Sequence, residues 1–264
     1  MLKELIHIVQ QAGALLLAAR GEKLDVTEKT GPRDLVTQYD TQIQEYLRSA
    51  LMELLPEAGF LAEEAGFDHP DREKEWVFIV DPIDGTTNFI QGFQDCCVSV
   101  ALAQRGAVRY GVVYAPFSQE LYYAKQGEGA YLGGRRLSAP DRDLAHSLLL
   151  FGSGSYYREL VAPSLAIFSA AFPQVQDVRR FGSAALDLCY LAAGRAGVFY
   201  ECRLCPWDYA AGSLIAREAG VNVTNLKGGE LDLWAKDSVL AGTPAAYAAM
   251  KALTDRALAE RSKT

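Results

Sequence analysis

The chain has 264 residues, of which 50% are hydrophobic and 22% charged, with a formal net charge of −7. This length can bury a large core, and the composition excludes an intrinsically disordered protein. The acidic balance argues against a nucleic-acid-binding protein, which would carry a basic patch, and it repels any phosphorylated ligand at long range unless the site supplies its own positive charge.

Taken in chain order, the first element is an amphipathic helix. Leu2, Leu5, Ile6 and Val9 precede an apolar run from Ala12 to Ala19, Gln10 and Gln11 interrupt it, and Gly21 ends it. That pattern is not a secretory leader, and no run approaches the ~18 apolar residues of a membrane span. A soluble, cytoplasmic protein with no membrane partner is the expectation. Glu28-Lys29-Thr30-Gly31-Pro32 reads as a loop. Asp34 to Asp40 leads into helical spacing at Ile43, Tyr46, Leu47, Ala50, Leu51 and Leu54, with Thr37 or Asp40 as the cap. Phe60-Leu61-Ala62 is a short apolar run ending in Glu63 and Glu64, and Trp76 to Val80 reads as a buried strand. Val98–Ala103, Ala107–Tyr114, Glu120–Ala124 and Ala130–Leu132 are β-like runs separated by turn residues, which predicts an antiparallel sheet of hairpins. Leu137 to Asp141 is the predicted boundary between subdomains 1–140 and 141–264. Beyond it the pattern predicts strands at Ser147–Phe151, Val175–Val178, Gly197–Glu201 and near Val239. Helices are predicted at Leu160–Ala171, Ser183–Ala193, around Asp208 to Glu218, and from Pro244 onward. The fold class is mixed α+β, without internal repeats.

Chemistry concentrates at Asp81-Pro82-Ile83-Asp84-Gly85-Thr86-Thr87-Asn88-Phe89. Two carboxylates three residues apart, at the end of a strand and before a Gly-Thr-Thr turn, can converge on one point. Pro82 fixes its own φ and restricts Asp81. Carboxylates held that close repel unless one is protonated or a cation lies between them, and oxygen ligands suit a hard ion such as Mg²⁺. A plain Asp-rich turn is the alternative for these two residues alone. An EF-hand is excluded, because the second Asp stands fourth and Gly fifth. Asp40 and Asp208 each read equally as ordinary first-turn or capping acids.

Together, Glu63-Glu64, the Asp81–Phe89 segment, and Trp207-Asp208 with Ala210-Ala211-Gly212 resemble the three ordered motifs of the inositol monophosphatase family. The resemblance runs from about Lys29 to the C-terminal helix; Ala62 stands where many members carry Gly. It implies a five-layered αβαβα sandwich of the sugar-phosphatase type, a homodimer, and a Mg²⁺-dependent, lithium-sensitive phosphomonoesterase. Its metal ligands would be Glu63, Asp81, the Ile83 carbonyl, Asp84 and Asp208. These would hold two Mg²⁺ ions, with a third, weaker one on Glu63 through waters. Glu63 and Thr86 would orient and deprotonate a water, with Asp40 hydrogen-bonded to Thr86. Asp84, Asp208 and the amides of Gly85 and Thr86, the latter opening a helix, would meet the substrate phosphate. Ser183, Ala184 and Glu201 would line the polyol pocket, and Lys29 would contact the site from a loop.

The implied substrate is a small-molecule phosphate ester, first of all myo-inositol monophosphate, because an acid at Glu201 suits neutral hydroxyls. NADP, adenosine 3′,5′-bisphosphate and fructose 1,6-bisphosphate phosphatases remain open, as does a non-catalytic scaffold. Five cysteines, including Cys202-x-x-Cys205, read as structural thiols or as a redox control beside Asp208. His7, His69 and His146 stand at no zinc spacing.

Overall fold

A computed structural model describes residues 1–31, 34–65, 71, 73–153 and 157–261. Pro32, Gly66 and His69 therefore lie outside the described residues. Helix α1 (Leu2–Ala18) buries Leu5, Ile8, Val9, Ala12 and Leu16, one stripe at helical spacing. Strands β1 (Val26–Gly31) and β2 (Asp34–Thr37) then form an antiparallel hairpin. This corrects the expected loop: Lys29 stands on a strand. The Val-Thr-Glu-Lys-Thr-Gly sequence carries no apolar alternation that would announce it. Helix α2 (Gln38–Leu54) takes Thr37 as its N-cap, and Asp40, in the first turn, accepts from the Thr37 backbone N–H.

Seven strands form the first sheet in sequence order: β3 (Gly59–Ala62), β4 (Trp76–Asp84), β5 (Cys97–Gln104), β6 (Ala107–Ala115), β7 (Glu120–Lys125), β8 (Gly129–Leu132) and β9 (Arg135–Arg136). Only the β3–β4 pair is parallel. A short helix, α3 (Thr86–Ile90), follows β4. Residues 137–143 carry neither helix nor strand. The second sheet has the order β11-β10-β12-β14-β13, from β10 (Leu148–Phe151), β11 (Asp177–Arg179), β12 (Val198–Leu204), β13 (Asn222–Thr224) and β14 (Asp237–Gly242). Strand β11 begins two residues later than expected, after a 3₁₀ turn at Phe172–Gln174. Helices α4 (Arg158–Ala171), α5 (Ala184–Ala192), α6 (Pro206–Glu218) and α7 (Pro244–Arg261) complete the chain.

The strand period of two sorts the apolar residues into layers. On β4, Phe78 and Val80 face Leu5, Val9, Leu47 and Leu51 of α1 and α2. Val77 and Ile79 face the other way, toward Leu188, Ala211 and Ile215 of α5 and α6. Those two helices also cover one face of the second sheet through Phe199 and Val239. Its opposite face, Leu149, Val198, Tyr200 and Leu240, packs on Ile167 of α4 and Met250 of α7. The result is the αβαβα sandwich. At Gly111, a Cβ would lie 2.8 Å from the Ala211 carbonyl, so the missing side chain on β6 lets α6 seat closely. Both sheets thus send strand ends to one place, where α6 begins.

Candidate active site

The strand β4 continues four residues past the predicted end at Val80 and carries both motif aspartates. In a regular strand, residues three apart point to opposite faces. Here Asp81 pairs with Ser99 and Asp84 with Cys97, so three steps on β4 match two on β5. This extra residue is a β-bulge, and it re-aims Asp84 to the same side as Asp81. Pro82, lacking an N–H, suits a place where the ladder is broken. Gly85 then turns with φ 98°, where a Cβ would stand 2.8 Å from the Asp95 carbonyl.

Each acidic group is held by a local device. Asp81 Oδ1 accepts from the Ile83 N–H at 3.0 Å. Asp84 Oδ2 accepts from the Ser183 hydroxyl and the Ala185 N–H, both at 2.7 Å, so it sits on the first turn of α5. Asp208 Oδ2 accepts from the Cys205 N–H at 2.6 Å, capping α6, and Pro206 opens that helix. Asp40, the capping acid of α2, is buried. Its Oδ1 accepts from the Thr86 hydroxyl at 3.0 Å, and that hydroxyl also lies 3.0 Å from the Ile83 carbonyl. The sequence left capping and chemistry open for Asp40 and Asp208; both residues cap, each using Oδ2.

Glu63 and Glu64 stand on a 3₁₀ turn directly after β3. Lys29 reaches them across the hairpin, at 3.0 Å from Glu63 and 2.5 Å from Glu64. Burial opposes the Lys29 charge, but the two glutamates outweigh it and its pKa is raised. Burial pushes the Glu64 carboxyl up to about 7.

Glu63, Asp81, Asp84 and Asp208 line one cavity of about 750 Å³. Burial raises the pKa of all four; for Asp81 the charges of Glu63, Asp84 and Asp208 add to it, and Asp84 reaches about 6. Such a group is stable as anions only with a cation among them. Among the described residues, no three His, Cys, Asp or Glu side chains already close on one point. Yet Asp84 and Asp208 direct Oδ1 away from their protein donors, which act on Oδ2, and Ile83 adds a carbonyl. An all-oxygen donor set of this kind fits Mg²⁺.

Lys29, Gly85, Thr86, Ser183, Ala184 and Glu201 line the same cavity, while Asp40 lies behind Thr86. Ser183 is committed to Asp84 through its hydroxyl. Helix α3 has only five residues, so the macrodipole expected behind the Gly85 and Thr86 amides is small. Glu201 rises to about 8 through burial, against the pull of Arg180. A Cβ at Gly152 would fall 1.8 Å from Glu201 Cδ, so Gly152 makes the room that this carboxyl occupies.

Several cavity residues escaped the sequence reading: Gly152, Tyr157, Arg180, Asp187, Arg203 and Lys236. Asp187 is buried with Oδ1 lacking a hydrogen-bond partner. It stands one helical turn after the Ser183 cap, and Arg203 two residues after Glu201 on β12; those spacings were the available signal. Cys202 packs in the outer layer and Cys205 against the inter-sheet core. Both thiols are free; burial pushes Cys202 up to about 11 and raises Cys205 as well. Among the described residues no helix is long and apolar enough to cross a membrane.

The family model for the inositol monophosphatase family matches residues 1–262. A Vibrio cholerae protein named Nus factor SuhB is 39% identical over 248 residues, covering 92% of this chain and 91% of that one. The inositol-1-monophosphatase of Mesorhizobium japonicum is 37% identical over 265 residues, covering 99% and 98%. Among solved structures, an IMPase of Thermotoga maritima superposes with a TM-score of 0.86 at 29% identity, covering 97% of this chain and 96% of that one. With its three motifs gathered at the meeting of two sheets, the chain belongs to the inositol monophosphatase family.

Proposed function

We propose that this protein hydrolyses phosphate monoesters, with myo-inositol monophosphate as its first substrate. The observation that carries the reading is the group of Glu63, Asp81, Asp84 and Asp208 around one cavity, with Asp81 and Asp84 buried and Glu63 and Asp208 partly so, an arrangement that needs a cation. Glu63, Asp81, the Ile83 carbonyl, Asp84 and Asp208 would hold Mg²⁺, two ions with a third weaker one. Bound there, Mg²⁺ would supply the charge that draws a phosphate into an acidic protein and would acidify water for attack.

The chain's own residues do the rest. Asp40 accepts the Thr86 proton, so the Thr86 oxygen keeps lone pairs for a proton from the attacking water. Glu63 stands beside Asp81 as the second acceptor. The N–H groups of Gly85 and Thr86 would meet phosphate oxygens. Ser183 and Ala185 fix the rotamer of Asp84. Glu201, in the room left by Gly152, would accept from ring hydroxyls, with Ala184 as the floor of that pocket. Inhibition by Li⁺, a homodimer and a cytoplasmic location are part of this reading, and the resemblance to the family supports them.

A second reading takes support from the relative named a Nus factor: a role apart from catalysis. The presence of every proposed ligand together with the Thr86–Asp40 pair favours catalysis. Phosphate release from myo-inositol 1-phosphate, measured with Mg²⁺, with chelator and with added Li⁺, separates the two. Mg²⁺-dependent, Li⁺-inhibited release is expected. Absence of release from this and from glycerol 2-phosphate would favour the second reading.

A further inference from the structure

Asp187 lines the cavity but belongs neither to the group of four acids nor to the contacts proposed above. It is 2% exposed, and its Oδ1 meets no hydrogen-bond donor among the described residues. A buried acceptor in that state is costly, so a donor from outside the protein is called for.

Two neighbours define what that donor is. The Ser183 hydroxyl and the Ala185 N–H hold Asp84, so the cap of α5 touches the reacting end, and the helix carries Asp187 one turn farther along. Residues four apart on a helix stand about 5–6 Å apart at Cβ, a step of the order of a sugar ring. The other neighbour is Glu201 on β12, partly buried in the same cavity. Its charge acts on Asp187 more strongly than any other. Arg180 draws both acids toward ionisation, but it is exposed and donates no hydrogen bond to either among the described residues.

Burial and then the Glu201 charge hold the Asp187 carboxyl well above the usual range, and burial puts Glu201 at about 8. Two acids that keep their protons at neutral pH each offer an O–H donor and a carbonyl acceptor. A hydroxyl offers the same two functions, so neighbouring hydroxyls match the pair. A metal ion needs anionic oxygens and a phosphate needs donors, and neither finds its complement here.

We infer that Asp187 is a second substrate-contacting residue of the ring pocket, meeting with Glu201 neighbouring hydroxyls of a polyol phosphate and so selecting esters whose hydroxyls reach both carboxyls. This rests on the proposed phosphatase reading for turnover, but not for binding.

The test uses the full chain. Asp187→Leu and Asp187→Ala remove the carboxyl, while Asp187→Asn keeps a donor and an acceptor. KM and kcat for myo-inositol 1-phosphate are measured with Mg²⁺, together with the inhibition constant of inorganic phosphate, which occupies the reacting end without a ring. Either apolar variant should raise KM about tenfold, with kcat within about threefold and the phosphate constant unchanged, and Asp187→Asn should restore most of the KM. Because no protein donor is lost, Asp187→Leu should also hold or raise the Tm of the ligand-free protein. An unchanged KM in the apolar variants overturns the assignment. So does a phosphate constant that rises in step with KM, or loss of folding in both apolar variants, since each marks a structural role. If wild type hydrolyses no ester, calorimetry with myo-inositol 1-phosphate and Mg²⁺ decides. Binding that Asp187→Leu weakens about tenfold upholds the contact although the phosphatase reading fails; binding that the variant leaves unchanged, or no binding by wild type, overturns it.

Discussion

Replacing Asp40 with Asn changes one atom in a hydrogen-bond set that links a helix cap to the Thr86 hydroxyl. Asp40 Oδ1 accepts from Thr86 at 3.0 Å, and Oδ2 accepts from the Thr37 hydroxyl at 2.6 Å and the Thr37 N–H at 2.8 Å. If the amide nitrogen takes the place of Oδ2, the Thr37 N–H loses its acceptor at a buried helix start. That costs about 1 kcal/mol for the cap and ~1–3 kcal/mol for the orphaned donor. If the amide turns over, its oxygen keeps both Thr37 donors and its nitrogen donates to Thr86. The second arrangement is cheaper, and it reverses the Thr86 bond: the hydroxyl must then donate to the Ile83 carbonyl and has one lone pair fewer for water. Asp40→Asn should therefore lose only about 1 kcal/mol of stability, a fall in Tm of ~2–4 °C. Its kcat on myo-inositol 1-phosphate at saturating Mg²⁺ should fall by ~10²–10⁴, the usual worth of a positioned acid–base group. Thr86→Val should fall similarly, and the double variant should fall little further, because the two act as one unit. Steady-state kinetics and calorimetry on the three variants decide it. An Asp40→Asn enzyme within about threefold of wild-type kcat, or full additivity in the double variant, would refute the pairing.

Gly152→Ala places a methyl group where Glu201 Cδ stands, so it should push that carboxyl aside, cost ~1–3 kcal/mol from overpacking, and raise KM for the inositol ester more than it lowers kcat. The carboxyls carry a pH prediction. Asp84 at about 6, Glu64 at about 7 and Glu201 at about 8 are all raised above unfolded values near 4, so their folded state prefers the neutral acid. Stability from these groups is complete below the unfolded pKa and is lost as pH rises through about 6 to 8. In chelator, Tm should drop between pH 5 and pH 8, and Mg²⁺ should restore more Tm at pH 8 than at pH 5; thermal scans at both pH values check this. Cys202, on β12, packs in the outer layer and Cys205, at the start of α6, against the inter-sheet core, so they should form no disulfide with a thiol oxidant, to be checked by intact mass, and Cys202→Ser with Cys205→Ser should keep activity.

The layers were legible where burial imposes a period: the stripe of α1, the apolar runs of β4 to β8, and the α5 and α6 helices. The sequence spacing of Asp81 and Asp84 pointed to convergence, but the cause, a bulge opposite Ser99 and Cys97, depends on the register with β5 and is invisible in one strand. The β1–β2 hairpin was missed because β1 carries no apolar alternation and β2 is only four residues long, and its value lies in delivering Lys29 to Glu63 and Glu64, 34 and 35 residues away. Asp40 and Asp208 announced themselves as caps and gave no local sign of a second role. Gly152 carried no signal, since its meaning is the space that Glu201 fills from another strand.

The central claim is that Glu63, Asp81, Asp84 and Asp208 hold the ion that makes phosphate ester hydrolysis possible. Turnover of myo-inositol 1-phosphate by Asp84→Asn and Asp208→Asn at saturating Mg²⁺ tests it most directly, with circular dichroism to establish that each variant is folded. Loss of a ligand should lower kcat by roughly a thousandfold or more, several kcal/mol of transition-state stabilisation. Folded variants that turn over at the wild-type rate would contradict the assignment.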